Sequence, residues 1–155
     1  MNLYMSRTIY VFCVLFTLSL SSCRKQLQVD PARSMADADR YYSALSFEKG
    51  RNAAFLAMFD SAGVTLAPHK YPIEGYSAIK KILLSSGDTT YTLTWEPRFA
   101  KVAGSGELGY TYGTYKLTNK ATKSLLQEGT YTTIWHKNAH GEWKALLDTG
   151  NEGLR

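Results

Sequence analysis

The sequence predicts a single α+β domain in which helices come first and antiparallel strands follow. Its 155 residues are 45% hydrophobic and 20% charged, which excludes a disordered chain and is enough to bury a core. Before Gly87, apolar residues recur at helical spacing; after it come long stretches rich in Thr, Tyr and Val, which are typical of strands. Helices followed by strands are characteristic of the α+β class.

The first helix is predicted to begin at Asp30-Pro31, where a capping side chain precedes a proline in the first turn, and to stop at Gly50. A second, shorter helix is predicted to end near Gly63. A short strand over residues 64–67 follows it, and a third helix runs from about Ser77 to Leu84. The apolar residues that indicate the first two helices are Met35, Ala38, Tyr41, Tyr42, Leu45, Ala54, Phe55, Met58 and Phe59.

The second half of the chain is predicted to consist of strands, at residues 91–95, 98–103, 108–118, 125–137 and 143–149. The glycines of Gly104-Ser105-Gly106-Glu107-Leu108-Gly109 match a dinucleotide-binding pattern, but such a site needs a helix directly after them. Here Tyr110 and Tyr112 continue at the period of a strand. The glycines are therefore predicted to form a hairpin turn.

The first 22 residues have the layout of a secretory signal peptide. They contain no acid and one base, Arg7, which is followed by an apolar stretch from Thr8 to Leu20 and then by small residues. This stretch is 13 residues long, whereas a membrane-spanning helix needs roughly 20. A transmembrane anchor is therefore the less favoured interpretation.

Leu20-Ser21-Ser22-Cys23 resembles the lipobox of bacterial lipoproteins. That resemblance implies that residues 1–22 are removed as a lipoprotein signal peptide and that Cys23 carries lipid, palmitate included, at the start of a tether over residues 23–30. The alternative is an ordinary signal peptide cut nearby. Arg24 rather than Asp follows the cysteine, which in enterobacteria favours the outer membrane. The expected location is therefore a bacterial envelope membrane, the outer one if the source is Gram-negative.

Cysteine content and charge exclude several functions. The two cysteines are too few for a disulfide scaffold or a four-cysteine zinc site. If the chain is processed as the lipobox resemblance implies, Cys13 leaves with the leader and Cys23 carries lipid, so thiol catalysis is not expected. The net charge of +5 comes from scattered bases without a basic stripe, so no nucleic-acid partner is predicted.

The chain beyond the leader carries an ordered set of short motifs. They are Asp39-Arg40-Tyr41, Ser46-Phe47-Glu48-Lys49-Gly50, Tyr71-Pro72-Ile73-Glu74-Gly75, Leu93-Thr94-Trp95-Glu96-Pro97, Gly129-Thr130-Tyr131, Gly141-Glu142-Trp143-Lys144 and Leu147-Asp148-Thr149-Gly150-Asn151. Together they resemble a SnoaL-like, ketosteroid-isomerase-like protein of the nuclear-transport-factor-2-like superfamily, in a bacterial branch known only as a domain of unknown function. The domain is assigned to residues 31–155.

The resemblance implies a curved, mainly antiparallel sheet wrapped around three N-terminal helices, with a conical pocket between them. Members of this superfamily often dimerise through the sheet, and they include both enzymes and non-catalytic binding modules, so the fold does not settle the function. Three hypotheses stay open. They are a lipoprotein that binds a small, partly apolar molecule, a ketosteroid-isomerase-like enzyme of acid–base proton transfer, and a protein-interaction or dimerisation module.

Asp148 and His69 are the candidate catalytic residues. In several enzymes of the superfamily an Asp in an apolar pocket acts as acid or base, because desolvation raises its pKa. Strand alternation, however, places Asp148 on the wetter face with Lys144 unless a bulge intervenes, and a strand-end carboxyl bonded to backbone is the alternative. His69, between Pro68 and Tyr71, is predicted to lie at the pocket rim.

Aromatic residues of the sheet region are the candidate ligand-binding residues: Tyr71, Trp95, Tyr110, Tyr112, Tyr131 and Trp135. Such side chains suit an apolar or ring-shaped ligand, and core filling or a dimer face is the alternative for each of them. No cofactor and no metal site are predicted. The histidines, His69, His136 and His140, lack the spacing of metal ligands.

Overall fold

The computed structural model describes residues 30–86 and 90–154. The predictions of a signal peptide, of a lipid-bearing Cys23 and of a tether therefore lie outside the described residues, apart from Asp30 at the tether's end. Within the described ranges, no helix is long and apolar enough to cross a membrane.

In the part of the chain that the structure describes, three helices form where the sequence predicted them. They are α1 (Pro31–Lys49), α2 (Arg51–Met58) and α3 (Tyr76–Ser86). Asp30 caps α1, since the amide of Ala32 donates to its Oδ1 at 3.0 Å. Gly50 separates α1 from α2 with a φ of 90°, a left-handed conformation that glycine adopts without strain.

The strands form one sheet within the described ranges. They are β1 (Phe59–Leu66), β2 (Ile73–Glu74), β3 (Tyr91–Val102), β4 (Leu108–Asn119), β5 (Leu125–Lys137) and β6 (Trp143–Glu152), in the spatial order β2-β1-β6-β5-β4-β3. All neighbours pair antiparallel except β1 and β6, which are parallel. The predicted fold class, a mainly antiparallel sheet with three helices, is confirmed.

Several boundaries differ from the prediction: β1 begins at Phe59 rather than at residue 64, β2 was not predicted, and β6 continues to Glu152. The second helix ends at Met58 rather than near Gly63, because Phe59 is already extended and pairs with Ala145 of β6. The stretches 91–95 and 98–103 form one strand, β3, with a register shift between Pro97 and Phe99. Pro97 has no amide proton to donate to a neighbouring strand. It is tolerated in β3 because β3 is an edge strand, which has a neighbour on one side only.

Helix α1 is held against β3 by serines on its buried face. The hydroxyl of Ser43 donates to the carbonyl of Trp95 at 2.7 Å, and the hydroxyl of Ser46 donates to the carbonyl of Leu93 at 2.7 Å. The rings of Tyr42 and Trp135 stack with centroids 5.9 Å apart. These contacts place the neighbouring turn of α1, with Asp39, directly against the inner face of the sheet.

Candidate functional site

An apolar cavity of about 160 Å³ lies between α2 and the inner face of the sheet. It is lined by Phe55, Met58, Leu93, Trp95, Tyr115, Tyr131, Asp148, Thr149 and Gly150. An engineered protein cavity of about 150 Å³ with apolar walls binds benzene, so this volume suits a single ring. The ionisable side chains among these described lining residues are one carboxyl and two phenols.

A bulge in β6 directs Asp148 into this cavity. Ile134 pairs with Leu147, but the next residue of β5, Trp135, pairs with Ala145, so β6 contains an extra residue at this point. One extra residue shifts strand alternation by one position. The bulge that was the stated exception is present, so Asp148 does not share the face of Lys144, and it lines the cavity.

Asp148 is partly buried, and its carboxyl accepts a hydrogen bond. The hydroxyl of Thr133, directly across on β5, donates to its Oδ1 at 2.7 Å. Desolvation raises the pKa of Asp148 from 3.8 to about 6, opposed by the bond from Thr133 and reinforced by the negative charge of Asp39. A carboxyl with this pKa exchanges protons readily near neutral pH.

A second carboxyl, Asp39 of α1, lies behind the cavity wall and is fully buried. The indole Nε1–H of Trp95 donates to its Oδ1 at 2.6 Å, and the hydroxyl of Tyr131 donates to its Oδ2 at 2.8 Å. Burial raises the pKa of Asp39, while side-chain hydrogen bonds from Thr111, Tyr131 and Trp95 partly offset that effect. Two aromatic residues of the cavity wall are thus oriented by one buried carboxyl.

Tyr131 is the link between the two acids. Its ring lines the cavity, and its hydroxyl donates to Asp39. Burial, together with the negative charges of Asp39 and Asp148, raises the pKa of Tyr131 well above its usual value. The phenol therefore stays protonated at any physiological pH.

Of the predicted site residues, Trp95, Tyr131 and Asp148 come together in the cavity. Trp135 does not line it; this residue is fully buried, and its Nε1–H donates to the hydroxyl of Thr111 at 2.8 Å. Tyr71 lies on a surface loop and is 93% exposed. The loop after β1 therefore leaves the ring of Tyr71 in solvent, outside the cavity lining.

Tyr110 and Tyr112 lie on the opposite face of the sheet. Strand parity sets them on one face of β4, while Thr111 between them is buried against the core. The ring of Phe99 on β3 stacks on Tyr112 with centroids 5.2 Å apart. These tyrosines form part of an exposed apolar outer face rather than of the cavity.

His69 lies beside the cavity without lining it. It is exposed, has a φ of 60°, and lines a shallow surface depression with Thr149 and Gly150, two residues that also line the cavity. The predicted rim position of the loop is thus close to the cavity, but its imidazole does not reach the carboxyl site.

Sequence reasoning missed Asp39 and Thr133, which orient the site. A signal for Asp39 was present: Met35, Asp39 and Ser46 lie at positions i, i+4 and i+11 of α1, on one buried face. An acid on the buried face of a helix requires hydrogen-bond donors, and Trp95 and Tyr131 supply them. Thr133 had no such signal, since its hydrogen bond to Asp148 depends on the register between β5 and β6.

The acids and histidines of the domain are dispersed. Within residues 30–86 and 90–154, no group of three or more His, Cys, Asp or Glu side chains is placed to hold a metal ion.

Comparison with known proteins identifies the fold. No protein-family model matches this sequence, and no curated protein matches it. Among solved structures, a ketosteroid isomerase-like protein from Erwinia carotovora atroseptica matches with a TM-score of 0.64 and 17% identity, over 82% of this chain and 99% of that one.

Two further solved structures agree. A nuclear-transport-factor-2-like protein with a cystatin-like fold from Novosphingobium aromaticivorans has a TM-score of 0.61 at 12% identity, over 76% of this chain and 79% of its own. A protein described as a ketosteroid isomerase from Parabacteroides distasonis has a TM-score of 0.61 at 15% identity, over 83% and 92%. The chain has the nuclear-transport-factor-2-like fold.

Proposed function

We propose that this domain binds a small, partly apolar molecule in the cavity between α2 and the sheet. The cavity supports this role, because its walls are apolar and aromatic and a single carboxyl, Asp148, enters it. Ligand sites are typically concave and apolar, with a few polar groups that orient the ligand. The volume limits the bound part of the ligand to about one ring.

Filling the cavity tests this proposal. A Cβ at Gly150 would lie at ordinary contact distance from its nearest neighbours, the carbonyl of Thr130 and the ring of Tyr115, both at 3.6 Å. Gly150→Val should therefore fold and occupy cavity volume. Gly104→Val, at a turn glycine with nothing within 4 Å, is the matched control. Native mass spectrometry after gentle purification should show a retained small molecule in the parent and the control but not in Gly150→Val; equal retention in all three would contradict the proposal.

A second candidate function is proton transfer on a carbonyl compound, with Asp148 as the base. The observation that favours it is a carboxyl with a pKa of about 6 in an apolar wall, one oxygen of which is held by Thr133. In this scheme Asp148 removes a proton from the carbon beside the carbonyl and later returns it. The test is exchange of the α-protons of cyclohexanone in heavy water, followed by NMR. Asp148→Asn should abolish any protein-dependent exchange, and undiminished exchange would refute the role.

We also propose that the protein forms a homodimer through the outer face of the sheet. Large apolar side chains are exposed there: Phe99, Leu108, Tyr110, Tyr112 and Ile134. Contiguous apolar surface of this kind is typical of protein contacts. Tyr112→Glu should shift the protein toward monomer in sedimentation equilibrium, whereas Tyr41→Glu, at an exposed tyrosine of α1, should not. A monomeric parent would refute the dimer.

Membrane attachment through Cys23 is likewise proposed, from the lipobox-like Leu20-Ser21-Ser22-Cys23. Two or more acyl chains would hold the protein stably on an envelope membrane, where one would not. Cys23→Ala should abolish incorporation of a labelled fatty acid in cells. Continued labelling of that variant would contradict the assignment.

A further inference from the structure

Three hydroxyls in or beside the cavity have their protons committed to acceptors of the protein itself. The hydroxyl proton of Tyr131 is directed to Asp39, that of Thr133 to Asp148, and that of Thr149 to the backbone carbonyl of Leu66 at 3.3 Å. An oxygen whose proton is already committed has only lone pairs to offer a ligand. A ligand that donates hydrogen bonds therefore finds lone pairs on these oxygens.

Tyr115 differs from these three hydroxyls. Its ring lines the cavity, and Nε2 of Gln127, a residue outside the lining, donates to its hydroxyl oxygen at 2.6 Å. The bond from Gln127 occupies the oxygen as an acceptor and does not use the phenol proton, so Tyr115 is not counted among the groups that favour a donating ligand.

The ionisable groups nearest the carboxyl site are acids, and the cavity lining holds no matching cation. Asp148 lines it and Asp39 lies behind its wall, and none of the nine described lining residues is Lys, Arg or His. The charge of Arg40 lowers the pKa of Asp39, but the guanidinium of Arg40 is itself bound to Asp37 and Glu96. A buried carboxylate is normally paired with a cation, since desolvating it alone is costly.

The walls suit a cation as well. Phe55 and Trp95 meet edge to face, with centroids 5.9 Å apart, and Tyr131 completes an aromatic surround near Asp148. The faces of aromatic rings attract organic cations, most strongly where water is excluded. An ammonium group here would meet a carboxylate among aromatic side chains.

We propose that the ligand of this cavity is a small ring-bearing amine, bound as its ammonium ion with an N–H donated to the free oxygen of Asp148. The inference rests on the proposed binding function and specifies its ligand class. An organic anion is disfavoured because it would lie near the carboxyls of Asp148 and Asp39 with no basic side chain in the cavity lining to pair with it. A purely apolar ring would fill the cavity but leave the carboxylate without a partner.

Three probes of equal ring size test the ligand class: benzylamine, which is a cation at neutral pH, benzyl alcohol, which is a neutral donor, and benzoate, which is an anion. Isothermal titration of the purified protein should rank their affinities in that order. Asp148→Asn should weaken benzylamine binding about tenfold or more, as expected for loss of a hydrogen bond to a charged partner, and should change benzyl alcohol binding much less. Glu74→Gln, which removes an exposed charge outside the lining, should leave all three unchanged.

The outcomes separate this inference from the proposed function. If benzoate binds as tightly as benzylamine, or if Asp148→Asn leaves the preference for benzylamine intact, the ammonium assignment is overturned while binding in the cavity stands. If none of the three probes binds at millimolar concentration, both are overturned.

Discussion

Replacing Asp148 with asparagine should stabilise the protein at alkaline pH and leave its stability unchanged in acid. Folding raises the pKa of this carboxyl, so the folded state holds the proton more tightly than the unfolded state does. The stability that this proton provides is complete below the unfolded pKa of 3.8 and is lost as the pH rises through the folded value of about 6. The amide side chain of the Asp148→Asn variant would still accept the bond from Thr133 without ever carrying the charge.

The size of the effect follows from the two pKa values. They differ by about 2 pH units, each worth about 1.4 kcal/mol, so ionisation of Asp148 costs the folded protein about 3 kcal/mol. Asp148→Asn should raise the free energy of unfolding by up to that amount at about pH 8 and by close to nothing below about pH 4.

Asp60 provides a control of opposite sign. The backbone amide of Ala62 donates to its carboxylate, and His136 Nε2 lies 2.9 Å from its Oδ2, so its pKa is lowered on folding. Its contribution to stability is therefore present above the unfolded pKa and is lost as the pH falls through the folded one. Asp60→Asn should destabilise the protein at neutral pH, with the difference from the parent vanishing in acid.

Urea unfolding of the parent and both variants across this pH range, followed by tryptophan fluorescence, measures these differences. A stability difference for Asp148→Asn that does not change with pH would refute a raised pKa for Asp148. If Asp60→Asn were as stable as the parent at neutral pH and less stable in acid, the sign assigned to Asp60 would be wrong.

Two further predictions concern the inner face of the sheet. Tyr131→Phe removes a 2.8 Å bond to the buried Asp39 and should cost about 1.5–3 kcal/mol by thermal unfolding. Tyr42 is equally buried, but its hydroxyl makes two longer contacts, donating to a carbonyl at 3.3 Å and accepting from Lys144 Nζ at 3.4 Å, so Tyr42→Phe should cost about 1 kcal/mol or less. Equal costs for the two variants would show that the bond to the carboxylate is not the stronger one. Gly113→Ala would place a Cβ against a backbone carbonyl of β3 and 2.8 Å from the Tyr131 ring. It should lower the free energy of unfolding by about 1–3 kcal/mol and disturb the cavity wall. Gly104→Ala, with nothing within 4 Å of its Cβ, should leave the stability unchanged.

Much of the fold was predictable because its signals are local. Helix α1 begins at Pro31, after the capping Asp30, and ends before Gly50, as the capping rules predict. Strand β5 spans the predicted residues 125–137. The end of α2 was not predictable in the same way. Phe59 has the apolar character of a helix residue, and only its pairing with Ala145 makes it the start of a strand.

The site was predictable in part. Trp95 and Tyr131 could be named because large aromatic residues of strands usually face a core or a pocket, but parity alone could not say which face of the sheet is covered. Tyr110 and Tyr112 obey parity equally well and lie on the outer face. The choice between the faces was made by α1, which packs on one of them.

The sequence by itself determined the kinds of elements, their order and the candidate aromatic and acidic residues, since helical and strand periods depend on near neighbours along the chain. The tertiary structure decided which of these residues meet. Asp148 enters the cavity because β6 must satisfy two neighbours, β5 and β1, and accommodates them with an extra residue beside Leu147. Such a register is set by strands far apart in the sequence, so no local pattern records it.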